Sequence, residues 1–263
     1  MDVQQQVSRL GQARNWYIRI VDSVPPDGWT KPTLCAGWNA LNVVAHVATG
    51  DQLFRGLIMD ATGKDRAGED LPVDFADRNR RFEDASTWEP ARLKDAARKE
   101  SERTVAAIAE AGEQSPQAIV PLPFGQSSMP VVRGLRLNEY IIHGHDLIPT
   151  IGRAFPTPDW FIDRGLGDGI NLMQRLHLRS PHKGQAASFH IHRTDGEGEW
   201  TLRAENGQAV VEPGHNKADV SLRGPAEGLY WVLMGRGRPD HHGVEVHGDQ
   251  ALGAALKEWF PGP

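Results

Sequence analysis

The sequence predicts an α+β protein of two domains: a four-helix bundle, then a small α+β domain on an antiparallel sheet. Three observations carry this. Up to about residue 150, apolar residues repeat at intervals of three and four, the period of an amphipathic helix. From about Gly184 the repeat falls to two, the period of strands with one buried face. Between these regions runs TIGRAFPTPDW, residues 150–160, where two prolines and a glycine punctuate the chain. The bundle is assigned to residues 1–155, and a connector helix plus the α+β domain to residues 156–263.

Residues 2–22 form the first helix, with Val3, Val7, Leu10, Ala13, Trp16, Tyr17, Ile20 and Val21 on one face; VPPDGW ends it. KPTLCAGW, residues 31–38, is a loop, and Asn39 caps a helix from Ala40 to about Met59 that contains His46. Residues 60–88 are polar and mixed, with a helical stretch at 74–82. A long helix over 89–111 is closed by Gly112. PLPFGQSSMP reads as a loop with three prolines, and the helix after it is broken by Pro149. Four main helices suggest the bundle. A helix over 160–175 follows, then the strands AASFHIHRT, EWTLRAE, QAVVEP and ADVSLRG, separated by turns such as DGEGE and ENG. Residues 224–235 read as a helix, GVEVHGD as a strand with its turn, and 250–259 as a last helix.

Composition narrows the function. In 263 residues, 39% hydrophobic and 24% charged content supports a packed core and argues against disorder. The net charge of −5, with signs interspersed, lacks the clustered basic face of a nucleic-acid binder and leaves a small charged substrate open. One cysteine, Cys35, excludes an internal disulfide and fits a reducing compartment. MDVQQQVSRL lacks the basic and apolar regions of a signal peptide, and no apolar run reaches the length of a bilayer span. The expectation is a cytoplasmic protein acting on small molecules, without nucleic-acid or membrane partners.

The stretch with most chemistry is RLNEYIIHGHD, residues 136–146. On a helix, Glu139 and His143 stack one turn apart, Asp146 falls on the same face, and His145 points roughly away. Val132, Leu135 and Ile142 share that face, so a carboxylate and an imidazole would point into apolar surroundings. A buried carboxylate costs several kcal/mol unless paired, and a divalent metal would remove that cost. The other reading is a buried Glu–His hydrogen bond or an exposed face without a ligand. From this stretch alone, that plainer reading weighs slightly more. With His46 from another helix, the set becomes two imidazoles and one carboxylate, which suits zinc with a fourth position open and could also hold iron or nickel. Among 11 histidines, such spacing also arises by chance.

LCAGWNALNVVAHV resembles the first metal-ligand stretch of the mycothiol-dependent maleylpyruvate isomerase family, within the DinB-like metalloenzyme superfamily. NEYIIHGHDL resembles the family's second ligand motif, and DVSLRGPAEGLYWVLMGR with VEVHGDQAL resembles its small C-terminal domain, similar to sterol carrier proteins. Four motifs match in order along nearly the whole chain. The resemblance implies that His46, Glu139 and His143 bind zinc, that mycothiol is the thiol cofactor or cosubstrate, and that Arg236, in the glycine–arginine at 235–236, binds substrate. The family reads a tryptophan after the glycine that follows the histidine, where this chain has His145; that departure bears on substrate choice. The implied chemistry is a metal-held thiolate used for cis–trans isomerisation of a maleylpyruvate-like substrate, or for S-transfer to an electrophile.

Other residues have plainer readings. Cys35 is better read as a packed thiol than as a nucleophile. His190 and His192 alternate on one strand face, which reads as a solvated sheet face rather than a metal site. His241, His242 and His247 read as loop and edge residues. Arg236 is preferred over Arg223 as the carboxylate-binding arginine, because it ends a helix beside a turn. Two rivals stand beside the thiol enzyme. A binding module with a structural metal would show a fourth protein ligand. A metal hydrolase would need a base near the open position, for which Asp146 is the candidate.

Overall fold

The computed structural model describes residues 3–122 and 125–262; Met1, Asp2, Pro123, Phe124 and Pro263 lie outside the described residues. The chain divides into two compact units, residues 1–156 and 157–263. The first contains α1 (Val3–Ser23), α2 (Ala40–Ala61), α3 (Phe75–Ala85), α4 (Pro90–Gln114), an antiparallel pair β1 (Ile119–Leu122) and β2 (Gly125–Ser128), and α5 (Met129–Ile151). The four long helices make the bundle: α1 packs on α4 and α5, and α2 packs on the same two. The α1 face is buried as its period demands, with Leu10, Ala13, Tyr17, Ile20 and Val21 at most 1% exposed. Each fully buried aliphatic side chain of this kind contributes about 1.5–3 kcal/mol.

α2 starts on a reciprocal cap. The Asn42 backbone N–H donates to Asn39 Oδ1 at 3.1 Å, and the Asn39 N–H donates to Asn42 Oδ1 at 3.0 Å. This cap fixes where the helix begins, and so which face carries His46. Three features differ from the sequence reading. Gly112 does not end α4, which runs to Gln114; a side chain there would meet Arg133 Nη1 at 2.7 Å, so the glycine makes room for an arginine. Pro149 does not end α5. It sits in the last turn, where it removes one backbone bond, and the helix ends at Gly152 with φ 72°. The proline-rich segment holds β1 and β2, because Val120 and Leu122 alternate inward between residues that face out; Pro123 and Phe124 of that segment lie outside the described residues.

α5 approaches α1 at Gly144. A methyl group on Gly144 would lie 2.3 Å from Cζ3 of Trp16, whose Nε1–H donates to the Pro156 carbonyl at 3.0 Å. The ring fills the space a side chain would take, one residue from His143.

The second unit contains α6 (Asp159–Leu176), β3 (Ala187–Arg193), β4 (Glu199–Glu205), β5 (Gln208–Pro213), β6 (Val220–Gly224), α7 (Ala226–Leu233), β7 (Glu245–Gly248), α8 (Gln250–Ala254) and α9 (Leu256–Trp259). The sheet order is β5-β4-β3-β6-β7, antiparallel except for the parallel pair β3–β6. The expected last helix is two short ones, divided at Ala255. Phe189, Ile191, Leu202, Val220 and Leu222 form the apolar sheet face, buried at 1% or less beneath the unit's helices. Among the described residues, no helix is long and apolar enough to cross a membrane.

Overpacking a filled core position costs about 1–3 kcal/mol. Gly144→Ala is therefore expected to lower the stability of the first unit by that amount in urea denaturation, whereas Gly134→Ala, with open space around its Cα, is expected to lose none. Equal midpoints for Gly144→Ala and wild type would contradict the packing described.

Candidate metal centre

α2 and α5 bring His46, Glu139 and His143 together. Their ligand atoms all lie within 4.8 Å of one another, and no fourth His, Cys, Asp or Glu joins the group among the described residues. Glu139 Oε2 is 3.3 Å from His46 Nε2 and 3.6 Å from His143 Nε2. Donors on a tetrahedral zinc with bonds of about 2.0 Å lie about 3.3 Å apart. The donor set therefore fits a divalent ion in both chemistry and spacing.

The histidines are oriented from behind. His143 Nδ1–H donates to Asp146 Oδ2 at 2.9 Å, which leaves Nε2 facing Glu139 as the lone-pair nitrogen. Asp146 is fully buried. Arg78, from α3, donates Nη2–H to His46 Nδ1 at 2.7 Å and to the His46 carbonyl at 2.9 Å. In that arrangement Nε2–H of His46 donates to Glu139. A metal held at Nε2 would need that proton on Nδ1, and Arg78 would then keep its bond to the carbonyl alone.

The electrostatics favour ligand-competent forms. Burial lowers the His46 pKa to about 4, against the opposing bond from Glu139, so the ring is neutral at physiological pH. Burial pushes Glu139 upward, but the bond from His46 outweighs it, with the Arg136 guanidinium acting in the same direction, and holds the carboxyl below the usual carboxylate range. Trp38, from the CAGW loop, covers both imidazoles with ring centroids 4.9 Å from His46 and 6.4 Å from His143, and Phe82 flanks Trp38 at 5.2 Å. Leu34 N–H donates to the Asp146 carbonyl at 3.2 Å, tying that loop to α5. Side-chain exposures of 23% for His46 and 25% for Glu139 leave one side of the group accessible.

The surroundings of Glu139 are charged and aromatic rather than apolar. Arg136, 1% exposed, lies with Nη1 3.7 Å from Glu139 Oε2 and donates through Nη2 to Asp51 Oδ1 at 2.8 Å. The Tyr140 hydroxyl donates to the same oxygen at 2.7 Å. Sequence reasoning missed Arg136, Asp51 and Arg78. The first was visible as a cation one turn before Glu139; Arg78 belongs to a helix whose approach to α2 is a tertiary fact.

The other candidates fall elsewhere. His145 is not part of the group. Cys35 is half-buried, and its N–H is held by Thr33 Oγ1 at 3.2 Å. In the second unit, Arg236 is 5% exposed; its Nη1 donates to the Met234 carbonyl at 2.7 Å, and its own carbonyl accepts from His242 Nε2 at 2.8 Å. Arg223 is exposed and pairs with Glu245 at 3.4 Å, and His247 pairs with the same carboxylate at 3.1 Å.

A family model described as the mycothiol maleylpyruvate isomerase N-terminal domain matches residues 10–148, and the MDMPI C-terminal domain model matches residues 175–255. The chain is similar in structure to a mycothiol-dependent maleylpyruvate isomerase, with a TM-score of 0.69 and 21% identity over 94% of this chain and 93% of that one. A histidine-to-alanine mutant of a mycothiol-dependent maleylpyruvate isomerase gives the same TM-score and coverage at 20% identity. Likeness at that identity is one of fold. No curated protein matches the chain by sequence.

Burial raises the Asp51 carboxyl from 3.8 to about 6, against Arg136 and Tyr140, which favour its charged form. A pKa raised on folding stabilises below the unfolded value and is lost as pH climbs through the folded one. Relative to Asp51→Asn, the wild type is expected to lose up to about 3 kcal/mol between about pH 4 and pH 6, read from denaturation midpoints. A gap independent of pH would refute this.

Proposed function

The chain belongs to the mycothiol maleylpyruvate isomerase family, and from that membership we propose that it is a metal-dependent cytoplasmic enzyme using mycothiol to isomerise a maleylpyruvate-like cis-enedioate. The observation that carries this reading is the three-donor group of His46, Glu139 and His143, partly accessible on one side and without a fourth protein donor among the described residues. Three donors support a catalytic centre over a structural one. These residues would hold one divalent ion, zinc by the nature of the donors. Bound there, the ion would lower the pKa of a low-molecular-weight thiol and keep it as thiolate at neutral pH.

The chain's own residues do the rest. Asp146 fixes the tautomer and direction of His143. It is turned to His143 and fully buried, which supports a positioning role over that of a base acting on substrate. The bond from His46, with Arg136 beside it, favours the ionised form of Glu139, and Trp38 with Phe82 covers the imidazole faces. In the reaction, thiolate adds to one carbon of the cis double bond and the π electrons pass to the conjugated carbonyl as an enolate; the resulting single bond rotates, and the enolate collapses to re-form the double bond, expelling the thiolate and leaving the trans isomer. Arg236 is the candidate for holding a substrate carboxylate and opposing the developing enolate charge. Arg78 is a second cation beside the ligands.

Metal analysis of wild type, His46→Ala, Glu139→Gln and His143→Ala tests the centre: wild type is expected to carry the ion and each variant to lose it, and equal content in all four would sink the reading. A thiol-dependence assay tests the chemistry. Cys35→Ser should keep most activity, and Glu139→Gln should abolish it. Arg236→Ala should lose ten- to a hundredfold, the equivalent of about 1.5–3 kcal/mol for a charge-assisted bond, with metal retained. Full turnover without thiol would favour hydrolysis, and an S-conjugate found by mass spectrometry would favour S-transfer.

A further inference from the structure

The second unit holds another group of ligand-type side chains. His190, His192, Glu199 and His215 each offer one donor atom, and all four atoms lie within 4.8 Å of one another. The sheet register assembles them. His190 and His192 are two apart on β3 and so share a face, and Glu199 of β4 is the cross-strand partner of His192. His215 follows β5, brought level with Glu199 by the Gly214 N–H bond to the Glu199 carbonyl at 2.8 Å. Glu199 Oε2 lies 3.3 Å from His215 Nδ1 and 4.0 Å from His190 Nε2, and Oε1 contacts His192 Nδ1.

A second observation points to a ligand. His190 is 5% exposed, not solvated as the sequence suggested, and its Nε2 is buried with no hydrogen-bond partner. Its Nδ1 meets Ser221 Oγ at 3.2 Å on β6, the arrangement that holds a metal-ligating histidine with Nε2 as the lone-pair nitrogen. Thr201, its fully buried cross-strand neighbour, also has an unpartnered hydroxyl oxygen. A buried polar atom left without a partner is destabilising, and a cation among four donors removes that cost at His190.

We propose that His190, His192, Glu199 and His215 form a second divalent-metal site, for zinc, in the C-terminal unit. Three imidazoles and one carboxylate complete a tetrahedral shell with protein atoms alone, so this site is structural: no position stays open for substrate or thiol. It ties the β3–β4 hairpin to the chain leaving β5. The site is independent of the centre in the first unit.

The test is zinc stoichiometry after dialysis of the full chain. Wild type is expected to retain two equivalents, and His215→Ala and Glu199→Gln one each. His215 is exposed on a loop, so its replacement does not endanger the core on which His190→Ala would act. In a His46→Ala/His143→Ala background one equivalent should remain, and stripping it with a chelator should lower the Tm, a fall reversed by re-added zinc and absent once His215→Ala is added. The same stoichiometry in wild type, His215→Ala and Glu199→Gln overturns the proposal. If wild type holds only one equivalent, its loss in His215→Ala upholds this site while counting against the first, and its loss only in His143→Ala does the reverse.

Discussion

Glu139 must stay charged inside a bundle that would otherwise protonate it, and the first unit is built around meeting that requirement. Burial works against the carboxylate; His46, His143 and Arg136 outweigh it. Each of those partners then needs one of its own. His143 is held by Asp146, His46 by Arg78, and Arg136 by Asp51, which is shared with Tyr140. The polar links run in a chain from α3 through α2 to α5, and in the fully buried Arg136–Asp51 pair neither partner can be removed without stranding the other. The arginine at its centre also packs over the rings of Phe54 and Tyr140, at 5.0 and 5.1 Å, so the network is embedded in the hydrophobic core rather than laid over it.

Much of this was legible before the fold was known, and the boundary of legibility is physical. Periodicity revealed the helices and strands because burial of one face is a one-dimensional signal. The i, i+4 spacing of Glu139 and His143 was visible for the same reason, since helix geometry converts separation in sequence into proximity. Arg78 lies 32 residues from His46, and only the packing of α3 against α2 joins them. Gly112 and Pro149 misled as helix ends because their usual meaning is local. Here Gly112 admits the Arg133 side chain, and Pro149 falls where only one backbone bond is lost. The β1–β2 pair was hidden because Pro121 falls within an alternation only four residues long.

In the second unit, the parallel β3–β6 pair had no local signal, since a crossover past β4 and β5 is a matter of topology. That crossover sets Ser221 beside His190, and the β4–β5 pairing carries His215 to Glu199. Alternation alone told which residues share a face. It could not tell that the polar face would bury one of its histidines.

The close approach of Gly144 to Trp16 has a consequence for how this family can vary. The indole occupies the space a side chain would need, so the two positions form one unit of volume shared between α1 and α5. A larger residue at one requires a smaller residue at the other, and a single substitution on either side passes through a less stable intermediate. Because His143 adjoins the glycine, drift in α1 would also turn an imidazole. Lineages that change either residue should therefore carry the compensating change, and substitution at these two sites should be correlated through descent even though neither supplies a donor to the site.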